Sequence, residues 1–478
     1  MMASRYCHKR FILAVACLVA TTITLARLTK WLFRGSSLGI PSFPFANSPN
    51  PTNLSSSVGA PKPTDLTASS FIRPYEPSCN HVTNTSNVLI VVKTGATEAY
   101  TKIPTQLITI LRCLPGYLIF SDMEQDIAGV HIRDSLDSVL DQVKENYDFD
   151  LYHRQRACAV DQQSCNSNDG HNLRFEAWRL DKYKNLHIAE KAYSLRPNYD
   201  WYLFIDADTY VLWHNLVRWL GILGDPLKKH LVGSMALLNG FAFAHGGSGY
   251  ILSRATMMEI AKIQPGIANQ YDIKASKSCC GDYVLSLALN ETLGISVKQA
   301  WPTINGEKPY SIPYGPREWC QPVDFEQRFY RSQGMLRPVM RFKDIYQEFV
   351  AQKLMARRDD WDNLSEDVRY VDPDPAEQYP KWQRDSTEKL NRHIRTGIEL
   401  TAHKSFEHCR ELCDNKRDCF QFSYHDRTCA YNKSFRFGKP APKAVEEEER
   451  WVSGWKIDRI QAWVKSQDEC GEPIWPKI

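Results

Sequence analysis

Short apolar runs and longer amphipathic stretches alternate through the middle of this chain. Val88-Leu89-Ile90-Val91-Val92 is an unbroken apolar run of strand length, and Leu118-Ile119-Phe120 and Trp201-Tyr202-Leu203-Phe204-Ile205 read the same way. Apolar character without polar alternation predicts strands buried on both faces. Between them, Ile103 to Leu111 and a stretch around Leu186 to Leu195 read as helices. Strand and helix in alternation predict an α/β fold on a mostly parallel sheet flanked by helices, with its site at the carboxyl ends of the strands.

The pattern changes at both ends. Arg5, His8, Lys9 and Arg10 precede an uncharged, mostly apolar run from Phe11 to Ala26, and Arg27, Lys30 and Arg34 follow it. As a helix the run reaches about 24 Å, slightly short of a bilayer core of about 30 Å. Trp31, Leu32 and Phe33 extend it at the interface. With no convincing small-x-small cleavage site before Arg27, the expectation is an uncleaved signal anchor over 11–33 with a cytosolic tail over 1–10. The thin membranes of the early secretory pathway suit so short a span, which makes the chain a single-pass type II protein with a luminal body. Residues 35–86, rich in Pro, Ser, Thr, Asn and Gly, read as a disordered stem.

An α/β body is expected over 87–345. Beyond Tyr346, Arg357, Arg358, Asp359, Asp360 and Asp362 and then Pro373, Pro375 and Pro380 mark a charged connection over 346–384. Cys409, Cys413, Cys419 and Cys429 follow within a module over 385–440. Cys409 and Cys413 are one helical turn apart, so both can face and staple a neighbouring strand pair. Residues 441–478, with the Glu446 to Glu449 run as a solvated face, read as a C-terminal tail.

Composition sharpens the compartment. The chain has 478 residues, enough for two to three domains. Its net charge is only +4 with no basic block, which argues against a nucleic-acid partner. Setting aside Cys7 and Cys17, twelve cysteines remain, and in an oxidising lumen an even number reads as disulfides. No pair of Cys-x-x-Cys motifs supports zinc. Asn53, Asn84, Asn290, Asn363 and Asn432 each open an N-glycosylation sequon.

Asp206-Ala207-Asp208 directly follows the third apolar run, so two carboxylates emerge together at the active edge of the sheet. Hard oxygen donors of this kind suit Mn²⁺ or Mg²⁺, which in turn binds a diphosphate. Asp-x-Asp also occurs at Asp148/Asp150, Asp360/Asp362 and Asp372/Asp374. Only the Asp206 copy combines a preceding buried strand with the following Thr209-Tyr210-Val211, and the other three read as solvated loop carboxylates. His245-Gly246-Gly247-Ser248-Gly249-Tyr250 lets backbone approach a sugar or phosphate closely, or is simply a turn. Asp282, after Cys279-Cys280-Gly281, opens a helical run and is either a cap or a general base.

The order Asp206-Ala207-Asp208-Thr209-Tyr210-Val211, then Phe243 to Ser253, then Gly281-Asp282, resembles glycosyltransferase family 31, in particular the fungal members of its Fringe and core 1 β1,3-galactosyltransferase branch. The resemblance runs from about Val88 to Leu364 and includes Val92-Lys93-Thr94, Phe120-Ser121-Asp122, the Trp178 to Lys184 segment and Asp360-Trp361-Asp362-Asn363-Leu364. It implies a GT-A fold, a UDP-sugar donor with UDP-galactose favoured, a divalent metal, and inversion at the anomeric carbon. By that resemblance Asp206 and Asp208 hold the metal; where related chains carry a His pair a few residues after Trp-Cys-x-Pro, this chain departs with Glu326-Gln327, and either Glu326 replaces the histidine as an oxygen donor or the metal is held more weakly. Lys93, Thr94, Asp122 and Asp206 hold the nucleotide, Gly246 and Gly247 shape the pocket, and Asp282 is the base. The acceptor it implies is an N-acetylgalactosaminide on glycoprotein, reached in the Golgi or ER/Golgi. Fringe-like transfer of N-acetylglucosamine or another hexose, and a non-catalytic glycan-binding or chaperone-like relative, remain as alternatives, and a homo-oligomer is left open. Ser405-Phe406-Glu407-x-Cys409 with the later cysteines resembles a PAN/apple module, a small disulfide-stapled α+β unit. Its implied pairing is Cys409 with Cys429 and Cys413 with Cys419, and its implied partner is a glycan or a protein.

Overall fold

A computed structural model describes residues 86–158, 172–316, 319–322, 339–372, 395–444, 449–467 and 469–477. The expected anchor, all but the last residue of the stem, and Glu326 lie outside them. Among the described residues no helix is long and apolar enough to cross a membrane.

The three apolar runs become strands of one sheet. Its elements are β1 (Val88–Lys93), β2 (Tyr117–Ser121), β3 (Gln125–Ile127), β4 (Val130–Asp134), β5 (Trp201–Asp206) and β6 (Leu231–Gly233). A separate hairpin, β7 (Met235–Leu238) with β8 (Phe241–Ala244), interrupts the sequence before β9 (Tyr250–Ser253) and β10 (Val297–Gln299) complete the sheet. The strand order is β10-β6-β9-β5-β1-β2-β4-β3. Pairing is parallel from β5 through β1 and β2 to β4 and between β6 and β10, with β9 and β3 antiparallel to their neighbours. The molecule is therefore mixed α/β with a mostly parallel eight-stranded sheet. β1 and β5 lie at its centre, so their carboxyl ends, Lys93 and Asp206, are direct neighbours in register.

Side-chain alternation divides the core between the two faces of this sheet. Leu89, Val91, Tyr202 and Phe204 pack against α3 (Lys184–Leu195), α5 (Ile267–Ser276) and α6 (Gly281–Leu293). Val88, Ile90, Val92, Leu203 and Ile205 pack against α1 (Ala96–Ile108) and α4 (Trp213–Leu223). A further helix, α2 (Leu173–Asp181), runs into α3 across a short turn. The helix expected from Ile103 begins two turns earlier, at Ala96, and carries Pro104 in its interior. Its start is fixed by Asp122, whose Oδ1 accepts the Ala96 N–H at 2.6 Å, a cap from a distant strand end that local sequence does not display.

The C-terminal region is larger than the 385–440 module expected. A five-stranded sheet has the order β11-β17-β14-β15-β13. Two of its strands, β11 (Arg358–Asp359) and β13 (Val368–Val371), come from the expected connection, which also holds β12 (Trp361–Asp362), and the boundary expected at 345/346 falls inside α7 (Phe342–Phe349). Helix α8 (Phe406–Asn415) follows, then β14 (Gln421–His425), β15 (Thr428–Asn432) and β16 (Lys439–Pro440), the partner of β12. The expected tail supplies β17 (Val452–Trp455) and α9 (Ile457–Ser466). Strands of two to four residues carry almost no local pattern, and their pairing is entirely non-local. Cys409–Cys429 and Cys413–Cys419 staple α8 to β15 and to the approach to β14. Cys279–Cys280 and Cys320–Cys470 are also bonded, and Cys113 and Cys158 are disulfide-bonded as well.

The same C-terminal residues close over the α/β body. Tyr314 and Phe435 exchange backbone hydrogen bonds of 2.9 Å, and the Trp219 indole donates to the Pro476 carbonyl at 2.9 Å. Of the sequons, Asn363 and Asn432 are fully buried. Asn363 Nδ2 donates to the Phe422 and Gly454 carbonyls, and Asn432 Oδ1 accepts the N–H groups of Glu366 and Asp367. Neither can carry a glycan in this fold. Asn290, near the end of α6, is half-exposed.

Candidate functional site

β5 ends at Asp206, and the chain turns there because the Ala207 N–H bonds the Lys93 carbonyl and the Thr209 N–H bonds back to the Asp206 carbonyl, both at 2.9 Å. Gln106 of α1 pins the turn from below, donating to the Ala207 and Thr209 carbonyls at 2.7 and 2.9 Å. Asp206 and Asp208 therefore leave a rigid backbone. Asp208 is open, its side chain 64% exposed, with Oδ2 at 3.1 Å from Lys102 of α1. Asp206 is more enclosed, and its Oδ1 lies 3.2 Å from Lys93 Nζ.

Lys93 Nζ has a second and closer partner, Asp181 Oδ2 at 2.5 Å. The other oxygen of Asp181 faces Lys184 Nζ at 3.7 Å. Lys184 is itself buried, 3.3 Å from Asp122 Oδ2 and donating to the Thr94 carbonyl at 2.9 Å. Five side chains thus alternate in sign from Asp206 through Lys93, Asp181 and Lys184 to Asp122. Burial works to lower the pKa of Lys93, but the carboxylates of Asp181 and Asp206 outweigh it and hold the ammonium above its ordinary range. Burial likewise works to raise Asp181, and Lys93 and Lys184 overcome it and hold the carboxyl below the ordinary range. Asp206 moves up, because burial and the charge of Asp181 together exceed the pull of Lys93.

The glycine segment is a tight turn. Gly246–Ser248 form one 3₁₀ turn and Gly249 sits at φ 81°, where a side chain would also press on the Phe204 carbonyl. His245 caps it through Ser248, with Nδ1 and Oγ 2.7 Å apart. The turn's first N–H, from Gly246, donates to Asp282 Oδ2 at 2.6 Å, and Asp282 Oδ1 accepts from its neighbour Tyr283. Asp282 is the second residue of α6, and its carboxylate joins that helix to the glycine turn. α6 reaches this position because Gly281 has no side chain: a Cβ there would lie 2.9 Å from Asn185 Oδ1 and from the Asp181 and Lys182 carbonyls. A small recess lies among Lys93, Asn185, Asp206, Gly246 and Tyr250.

The fold thus gathers Lys93, Asp206, Asp208, Gly246, Gly247 and Asp282 at one edge of the sheet. Thr94 and Asp122 are near but fully buried: Asp122 caps α1 and faces Lys184, while the Thr94 carbonyl takes the Lys184 ammonium. They brace the site from beneath. Among the other Asp-x-Asp pairs, Asp148 departs from the expected solvated carboxylate. It is buried, 2.7 Å from Lys182 Nζ and accepting from Tyr183 OH at 2.8 Å. Asp181, Lys184, Asn185 and Lys102 are site residues that sequence reasoning missed. Asp181 and Lys184 differ by three positions, a spacing that reads as an exposed helix pair, whereas the fold buries Lys184 and leaves Asp181 part-exposed.

Asp206 and Asp208 each meet a lysine through one carboxylate oxygen, and both are hard oxygen donors of the kind Mn²⁺ or Mg²⁺ takes. Among the described residues there is no group of three or more His, Cys, Asp or Glu placed to hold one, and Glu326 lies outside them. A scan of protein-family models and a search of curated proteins each find no match for this chain.

Proposed function

We propose that this chain is an inverting, metal-dependent glycosyltransferase with a GT-A type fold, acting in the lumen of the secretory pathway and tethered by the 11–33 span. The favoured reaction moves galactose from UDP-galactose to an N-acetylgalactosaminide hydroxyl on glycoprotein in β1,3 linkage. One observation carries the reading. Asp206 and Asp208 leave the carboxyl end of a central strand beside Lys93, and a further carboxylate, Asp282, holds the glycine turn that leads into β9, the other neighbour of that strand.

The divalent cation, when bound by Asp206 and Asp208, supplies Lewis-acid neutralisation of charge on the departing diphosphate. The protein's own groups divide the remaining work. Lys93 presents a permanently charged ammonium at the same strand edge, suited to a phosphate oxygen. Asp282 takes the proton from the acceptor hydroxyl as that oxygen attacks the anomeric carbon opposite the leaving UDP. The rigid turn through Gly246 holds the base by a charge-assisted hydrogen bond, so its position is set before substrate arrives. The C-terminal module, whose conspicuous features are disulfides and core aromatics, is read as a glycan- or protein-binding element.

The test is UDP release from a panel of UDP-sugars with Mn²⁺, followed by linkage analysis of the product on a GalNAc-Ser acceptor. Wild type is expected to release UDP, and Asp208→Ala to fall to background through loss of a metal donor. No UDP release by wild type with any sugar retires the enzyme and favours a non-catalytic glycan-binding protein, a reading supported by the lysine already paired with each aspartate.

A further inference from the structure

Lys93 stands between two carboxylates with different duties. A lysine that settles on Asp206 competes with a cation for the same oxygens, whereas a lysine drawn away leaves them available. Asp181 is the nearer partner, at 2.5 Å against 3.2 Å for Asp206. Its carboxylate is also held at its second oxygen by Lys184, 3.7 Å away. Lys184 is fixed in turn by the Thr94 carbonyl and Asp122, both buried on the sheet's edge. Asp181 is thus tied to the strand ends of β1 and β2 through a buried lysine, and Lys93 lies between it and Asp206, closer to Asp181.

We propose that Asp181 is a positioning residue that draws the Lys93 ammonium off Asp206, keeping Asp206 open to a divalent cation and Lys93 available to the donor's diphosphate. The inference rests on the metal-dependent reading above and adds to it a residue outside the metal's own donor set. Partners of this outer kind typically change metal affinity by about 10- to 100-fold when removed. Part of any such loss comes from deleting a negative charge near the cation, so the decisive quantity is the dependence on Lys93 rather than the loss itself.

The experiment measures Mn²⁺ binding by titration calorimetry on the full-length chain, without donor or acceptor. Asp181→Asn is expected to weaken Mn²⁺ about tenfold or more in the Lys93 background. With Lys93→Met also present, the loss caused by Asp181→Asn should shrink at least severalfold. Equal losses in the two backgrounds, or no loss in the first, overturn the proposal. Should Asp181→Asn fail to fold, Asp181→Glu keeps the charge and moves the carboxylate by one methylene. Its expected loss disappears with Lys93→Met, and a loss that persists overturns the proposal. A wild-type chain that binds no Mn²⁺ sensitive to Asp208→Ala overturns the metal reading and this inference together. Binding that is sensitive to Asp208 but indifferent to Asp181 overturns the inference alone.

Discussion

Two glycines on helices should respond to the same substitution with opposite sign. Gly281 opens α6, and a Cβ at this position would stand 2.9 Å from Asn185 Oδ1 and from the Asp181 and Lys182 carbonyls. Two of these are backbone oxygens that cannot rotate away, so Gly281→Ala must push the start of α6 from the α2–α3 junction. Overpacking of this kind costs about 1–3 kcal/mol. The gain in helix propensity returns at most about 1 kcal/mol. Gly221 lies within α4 with nothing within 4 Å of its would-be Cβ, so Gly221→Ala keeps the propensity gain alone. Calorimetry under identical conditions should therefore lower the unfolding midpoint for Gly281→Ala and raise it for Gly221→Ala. At about 2–4 °C per kcal/mol in a chain of 150–250 residues, and less in a longer one, the separation is a few degrees. The Gly281 variant carries a second consequence, since Asp282 moves with the helix start and loses its 2.6 Å bond from Gly246. A misplacement of about 1 Å can cost about a hundredfold in turnover. A Gly281→Ala midpoint equal to or above that of Gly221→Ala refutes the close approach.

Asp282→Asn preserves shape but cannot accept a proton as a carboxylate does, so kcat should fall by about 10²- to 10⁴-fold while UDP affinity measured by calorimetry stays within error; normal turnover would remove Asp282 from the mechanism. In the C-terminal module, burial lowers the pKa of both His403 and His425. The unfolded chain, with histidine near its ordinary value of about 6.5, then binds more protons below that pH than the folded one, so stability is present above about 6.5 and declines as pH falls through it. Thermal midpoints measured from pH 7.5 to 5 should drop less steeply in a His403→Gln/His425→Gln variant, and parallel curves would show that the two imidazoles do not contribute.

Runs of five apolar residues leave little freedom, and Val88 to Val92 and Trp201 to Ile205 could be read as buried strands from composition alone. The same is true of Asp206 and Asp208, which local order places at a strand's end whatever surrounds them. Asp282 was ambiguous between cap and base, and its bond to Gly246 depends on a glycine at 281, which is required only because the α2–α3 junction approaches so closely. The extent of the C-terminal sheet escaped the sequence for a related reason. Arg358–Asp359, Val368–Val371 and Val452–Trp455 are too short and too polar to declare themselves, and each is a strand only because β17, β15 and β14 respectively offer it an edge.

What the sequence determined by itself was the set of interactions that neighbours along the chain decide: strand cores, the paired carboxylates after β5, and cysteines one helical turn apart. Tertiary structure alone decided which charges meet. Lys93 meets Asp181, and Lys184 meets Asp122, across separate elements, and Asn363 and Asn432 became buried hubs where the local triplet suggested glycan acceptors. Charge pairing and burial depend on distances between residues tens of positions apart, and those distances exist only once the chain has closed on itself.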